Sequence, residues 1–205
     1  MKSLYIITIC FLSILFTNCE ASKRIFEDEA ATATDKLIID NTDIRFANKS
    51  DAETLPLEDE LTFFLVRHAE KNTGKDPDLV SEGAARAELL AEVLSTVNLD
   101  AIYSTDYNRT LQTAKPTATK QDLDTQIYDG ANLEEFSTDL LQNYATGKIL
   151  VVGHSNTTPK LINHLIDSKE YQHLSEDQFD NLFVITFSEN GEAQVLNLKY
   201  GEACP

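Results

Sequence analysis

Three short groups of polar residues stand where apolar runs stop. Arg67-His68 follows Leu61 to Val66, Ser104 to Arg109 follows Asp100 to Tyr103, and Gly153-His154 follows Lys148 to Val152. Together they hold two of the chain's four histidines and two arginines. A neutral imidazole is a nucleophile or base available near pH 7, and a guanidinium presents planar donors that suit phosphate oxygens. Ser155 and Asn156 add the start of an expected helix, whose free backbone N–H groups favour an anion. The combination describes a phosphate pocket that contains histidine. His164 and His173 fit no such group and read as surface or packing residues. No Cys-x-x-Cys pair or Cys/His cluster exists, so no metal site is expected and no cofactor is implied.

These residues reach one pocket only if the preceding runs are strands of one sheet. Leu61 to Val66 is a run of bulky and β-branched residues that is apolar on both faces, as a strand covered on both faces would be. Strand and helix patterns alternate from Leu61 onward, which predicts an α/β domain with a largely parallel sheet. Ligands of such sheets collect beyond the carboxyl ends of the strands, where all three polar groups fall.

The connecting elements read as follows. Lys71 to Val80 is a polar loop, and Ser81 caps a helix with Ala87, Leu90, Ala91 and Leu94 on one face. A helix begins near Tyr107 and is expected to kink or end at Pro116. Thr125 to Tyr128 is a third strand. Leu133, Phe136, Leu140, Leu141 and Tyr144 stripe the next helix, which Gly147 stops. Thr158 caps a helix with Pro159 at its first position. Ser175 and Gln178 resemble a capping box for a short helix. Leu182 to Phe187 and Ala193 to Leu198 flank Asn190-Gly191, which predicts a terminal antiparallel hairpin.

The chain has 205 residues, 42% hydrophobic and 25% charged, as suits one domain with appendages. With 34 acidic against 17 basic residues, its field repels nucleic acid and anionic membranes, so any bound anion must be held by locally concentrated cations. Residues 1–18 hold one cation, Lys2, ahead of an apolar run from Leu4 to Phe16 that reads as the core of a signal peptide. Residues 19–60 read as a polar tether with one added edge strand near Lys36 to Ile39. The expected layout is therefore 1–18 signal peptide, 19–60 tether and 61–205 domain.

At Arg67-His68-Ala69-Glu70, at Ser104-Thr105 through Arg109-Thr110-Leu111-Gln112-Thr113-Ala114, and at Gly153-His154, the sequence resembles the histidine phosphatase, or phosphoglycerate-mutase-like, superfamily. The resemblance spans about Leu61 to Leu198. It implies a three-layer sandwich with a mostly parallel central sheet flanked by helices. It also implies His68 as the nucleophile that carries a phosphoryl group until water removes it, with Arg67, Arg109 and His154 holding the phosphoryl oxygens and no metal. In phosphoglycerate-mutase relatives a glutamate in a Leu-x-Glu setting protonates the leaving oxygen. Leu133-Glu134-Glu135 places Glu135 there, Asp129 is the competitor, and Glu134 and Glu135 also suit the start of a helix dipole.

Cys19, after Leu15-Phe16-Thr17-Asn18, resembles the lipidated cysteine of a bacterial lipoprotein. The alternative is ordinary secretion with Cys19 paired to Cys204; export is common to both readings, and the first makes the chain a cell-envelope lipoprotein that meets a membrane only through the anchor at Cys19. The Arg-His signature lacks the asparagine of the mutase branch, Gly74 standing in its place, and no capping insertion lies between Tyr128 and Lys148. Both features favour a small, open phosphatase, similar to the phosphohistidine phosphatases, acting on a phosphomonoester or phosphoprotein. The alternatives are a catalytically idle phosphate-binding module of the envelope and a mutase-type phosphoryl transferase.

Overall fold

The computed structural model describes residues 37–39, 43–46, 55–57, 60–188 and 190–204. The expected signal peptide over 1–18 and the expected lipid site at Cys19 lie outside these residues. Among the described residues no helix is long and apolar enough to cross a membrane.

A six-stranded sheet forms the middle layer, in the order β6-β5-β7-β4-β8-β9. Its strands are β4 (Leu61–Arg67), β5 (Ala101–Ser104), β6 (Thr125–Ile127), β7 (Gly147–Gly153), β8 (Asn181–Phe187) and β9 (Ala193–Lys199). β4, β5, β6 and β7 are parallel, whereas β8 runs antiparallel to β4 and pairs with β9 as the expected terminal hairpin.

Period-two alternation divides the core. Phe64, Val66, Leu150, Val152, Leu182 and Val184 face one layer, with Leu90, Ala114 and Ala118 from α1 (Ser81–Val93) and α2 (Asn108–Gln121) and Leu94 just past α1. Phe63, Leu65, Ile149, Val151, Phe183 and Ile185 face the other, with Leu133, Leu140, Leu161, Ile162 and Leu165 from α3 (Leu133–Asn143) and α4 (Thr157–Leu165). Because both faces of β4 are covered, all seven of its residues are buried, Thr62 and Arg67 included.

The expected tether is amended by the structure. β1 (Leu37–Ile39), β2 (Asp43–Phe46) and β3 (Leu55–Pro56) form a separate antiparallel sheet instead of an edge of the large one. Leu37, Ile39, Ile44 and Leu57 are buried in the cluster that covers α1 and α2. Thr96 Oγ1 donates to the Ile39 carbonyl at 3.0 Å, which ties this sheet to the turn after α1. Scattered apolar residues in a polar stretch were enough to add a layer.

Several helix ends also differ from expectation. Ser81 lies inside α1, and Val80 is the capping position, held by its amide on the Glu70 carbonyl at 3.0 Å. Pro116 does not end α2, which runs on to a left-handed Asp122. The lost backbone bond is offset by burial of Ala114, Thr117 and Ala118 around it. α3 ends at Asn143, ahead of Gly147, which instead opens β7 at φ +120°, where a Cβ would stand 2.8 Å from Asp100 Oδ2. α4 begins at Thr157, so Pro159 is its third residue and Asn156 its cap position. Ser175 and Gln178 do form the reciprocal bond of a capping box, the Ser175 amide donating to Gln178 Oε1 at 3.1 Å, but the segment is a turn and not a helix.

Candidate active site

β7 lies between β4 and β5, so the carboxyl ends of the three strands that carry the polar groups are neighbours. Arg67 is the register partner of Gly153, and the His68 amide donates to the Gly153 carbonyl at 2.9 Å. The two rings that follow meet edge to face, with centroids of His68 and His154 5.5 Å apart.

Hydrogen bonding fixes how each imidazole carries its proton. His68 Nδ1 lies 2.8 Å from the Ala69 carbonyl, which can only accept. Nδ1 therefore holds the hydrogen, and Nε2 keeps a lone pair. His154 shows the reverse arrangement. Arg109 Nη2, which can only donate, lies 3.3 Å from His154 Nδ1, so the hydrogen is on Nε2 and is donated to Thr105 Oγ1 at 2.9 Å. Thr105 in turn donates to Thr110 Oγ1 at 3.1 Å. Burial pushes the His68 pKa down to about 3, with Arg67, His154 and Arg109 adding to the fall against the opposing Ala69 bond. Burial and the two arginines push His154 down to about 4. Both rings are neutral at pH 7.

The arginines are set by different means. Arg67, 2% exposed, sends Nη1 to the carbonyls of Ser175 and Gln178 at 2.8 and 2.9 Å, so the turn that resembled a capping box serves to seat it. Its guanidinium lies 4.1 Å above the Phe179 ring, which also abuts His68. Arg109 rides 4.4 Å over Tyr107, whose ring meets His154 edge-on, and pairs with Asp76 Oδ1 at 3.4 Å. The Nε atoms of Arg67 and Arg109 are buried with no protein partner. Two orphaned cationic donors beside two neutral imidazoles are what an oxyanion would satisfy.

The second polar group also anchors the loop after β4. Ala69 N donates to Thr113 Oγ1 at 2.9 Å, Leu79 N to Gln112 Oε1 at 2.8 Å, and Gln112 Nε2 to Asp78 Oδ1 at 2.7 Å. Gln112 and Thr113 thus hold the pocket's wall, while Arg109 from the same helix lines it. Gly153 has a steric reason to be glycine, since a Cβ there would lie 2.8 to 2.9 Å from Thr157 Oγ1, Thr158 Oγ1 and Tyr128 Oη. Thr157 Oγ1 accepts from the His154 amide at 2.8 Å, so this crowding is part of how His154 is placed.

Arg67, His68, Arg109 and His154 are therefore brought together. Glu135 is not brought into contact with them: it is exposed on the first turn of α3, and its carboxylate accepts from Asn132 Nδ2. Asp129 accepts from the Ala131 amide at 2.9 Å, and a Cβ added at the neighbouring Gly130 would lie 3.1 Å from the Thr105 methyl and 3.5 Å from that of Thr157. His173 is exposed and His164 half-buried. Thr105, Thr157, Asp76, Tyr107 and Phe179 were not singled out from sequence. Thr105 and Tyr107 did lie inside the recognised motif, but Phe179 carries no signal beyond its place before β8.

Residues 63–138 match the histidine phosphatase superfamily, branch 1. That segment carries the Arg-His and Arg-Thr-x-Gln-Thr parts of the histidine phosphatase pattern, and the Gly-His part follows in β7. Solved structures agree in fold. The protein histidine phosphatase SixA complexed with tungstate superposes with a TM-score of 0.56 at 16% identity, covering 68% of this chain and 97% of that one. An alpha-ribazole phosphatase from Shigella flexneri gives 0.58 at 16% identity, covering 68% and 96%. A phosphoserine phosphatase from Entamoeba histolytica, bound to 3-phosphoglyceric acid, gives 0.53 at 18% identity, covering 69% and 98%. The six-stranded sheet, four flanking helices and antiparallel terminal strands are those of the phosphoglycerate-mutase-like fold. A search of curated sequences finds no match.

Proposed function

We propose that this chain is a phosphatase that hydrolyses a phosphomonoester or phosphoprotein through a phosphohistidine on His68. The observation that carries the reading is the His68 Nδ1 bond to Ala69, which leaves Nε2 unprotonated beside two unpartnered arginine donors.

In the first step Nε2 attacks phosphorus, a P–N bond forms, and the P–O bond to the leaving alcohol breaks. Nδ1 keeps its hydrogen on the Ala69 carbonyl, which stabilises the positive charge the ring acquires. Arg67 and Arg109 bind the equatorial oxygens through their free Nε donors, and positioning with charge stabilisation supplies most of the rate. The leaving oxygen takes a proton from a nearby carboxyl group, for which Glu135 and Asp129 remain the candidates. In the second step water attacks phosphorus and gives its proton to the carboxylate left by the first step, the P–N bond breaks, phosphate leaves and Nε2 is restored. Splitting the transfer spares water from attacking the ester directly.

Structures of similar fold support the substrate kind, since one is described as a protein histidine phosphatase and another as a phosphoserine phosphatase. Export and anchoring at Cys19 belong to the same proposal, supported by the apolar run ahead of that cysteine. Hydrolysis of p-nitrophenyl phosphate by the full-length protein tests the reading, with His68→Ala as the inactive control. Phosphate binding by the wild type without any turnover would instead leave the idle module.

A further inference from the structure

Each arginine of the pocket has a carboxylate on its outer side. Asp76 Oδ1 lies 3.4 Å from Arg109 Nη1 and Glu176 Oε2 lies 3.4 Å from Arg67 Nη2. Their side chains are 42% and 88% exposed, so they face the solvent from which substrate arrives. Asp177, beside Glu176, also acts on Arg67. Asp76 cannot readily withdraw, because the same oxygen accepts from the Asn108 amide at 3.0 Å. A phosphoryl group held between the two guanidiniums would have each carboxylate on the far side of one of them, within about one Debye length, roughly 8–10 Å.

Positive charge is scarce by comparison. The remaining arginine nearby, Arg86, is spent: it holds both oxygens of Glu70, the Tyr200 carbonyl at 2.8 Å and the Glu202 carbonyl at 3.0 Å. Lys75 is exposed next to Asp76 in sequence, and no ion pair is recorded for it among the described residues. The two pocket arginines are thus matched to one phosphoryl group, with carboxylates around them and the exposed Lys75 beside Asp76 in sequence as a rival.

Resting on the phosphatase reading above, we infer that the site selects monophosphates whose leaving portion carries a positive charge and discriminates against those carrying a second anion. Asp76, Glu176 and Asp177 are the specificity-determining residues. A bound phosphoryl group satisfies the arginines, after which these carboxylates attract an ammonium group on the alcohol and repel a carboxylate or second phosphate.

O-phosphoethanolamine and 2-phosphoglycolate test this, since they share a two-carbon skeleton and differ in a terminal ammonium or carboxylate. The expected kcat/KM ratio for full-length protein in detergent favours phosphoethanolamine by about tenfold or more, in the range that charged clefts produce. Raising salt from about 0.05 M to about 0.5 M should shrink the ratio, because screening shortens the Debye length several-fold. The double substitution Glu176→Gln with Asp177→Asn should shrink it as well, and an intrinsic difference between leaving groups would respond to neither change. A ratio near one, or one indifferent to both changes, overturns the inference while p-nitrophenyl phosphate hydrolysis keeps the phosphatase reading intact. A preference for phosphoglycolate that Lys75→Ala abolishes overturns it in favour of Lys75 as a second anion site. Inactivity on all three substrates overturns the phosphatase reading and this inference together.

Discussion

The amide of His68 donates to the carbonyl of Gly153 at 2.9 Å, so the last rung of the β4–β7 ladder is also the bond that sets the two site histidines against each other. Gly153 admits no side chain without displacing Thr157, which holds the His154 amide. Gly153→Ala is expected to destabilise the fold by about 1–3 kcal/mol, as overpacking does, and to lower turnover further than that loss explains. Urea melts alongside steady-state assays check both parts.

Thr105→Val keeps the shape but removes the acceptor for His154 Nε2–H. The stranded donor costs about 1–3 kcal/mol if His154 stays in place, so kcat/KM should fall roughly tenfold or more. Thr105→Ser, which restores the hydroxyl, should recover most of it. Equal losses in both variants would mean that packing, not this bond, places His154.

Short apolar runs made the large sheet legible, because a strand covered on both faces carries apolar residues on both, as Leu61 to Val66 does apart from Thr62. The site was legible for a related reason: polar residues that interrupt such strands at one end of a parallel sheet share an edge. Less legible were features set by partners distant in sequence. Pro116 looks like a break until the packing around it is known, and Ser175 with Gln178 spells a helix start although their segment serves as a turn under Arg67. Leu37, Ile39, Ile44 and Leu57 are spread too thinly for periodicity to reveal a small sheet. Glu135 fits a sequence pattern but is bonded to Asn132, whereas Gly130, next to Asp129, has little room for a Cβ against Thr105 and Thr157.

The depressed His68 pKa carries a stability consequence. An unfolded histidine protonates near 6.5 while folded His68 resists until about 3, so the unfolded state binds more protons between these values. Stability is then greatest above the upper value and falls as pH drops through the window, by about 2 kcal/mol at pH 5 from this residue. His154, pushed down to about 4, adds a decline of the same sign. His68→Asn should flatten the dependence of denaturation midpoint on pH between about 7 and 5. Titration of the His68 ring by NMR with a midpoint near 6.5 would remove the cause.

For the proton donor, leaving-group dependence separates the candidates. Glu135→Gln, if Glu135 is the acid, slows alkyl phosphates by roughly 10² to 10⁴-fold and leaves p-nitrophenyl phosphate nearly untouched, because an aryl oxide departs without a proton. No loss in Glu135→Gln together with that pattern in Asp129→Asn moves the role to Asp129.

The central claim is that His68 Nε2 bonds to phosphorus during turnover. Rapid quenching of full-length protein with substrate into alkaline denaturant, followed by peptide mass mapping, measures it directly. The account predicts one phosphoryl group on the peptide containing His68, stable in base, lost on brief acid treatment and absent from His68→Ala. A phosphoryl group on His154, or turnover that persists in His68→Ala, would contradict it.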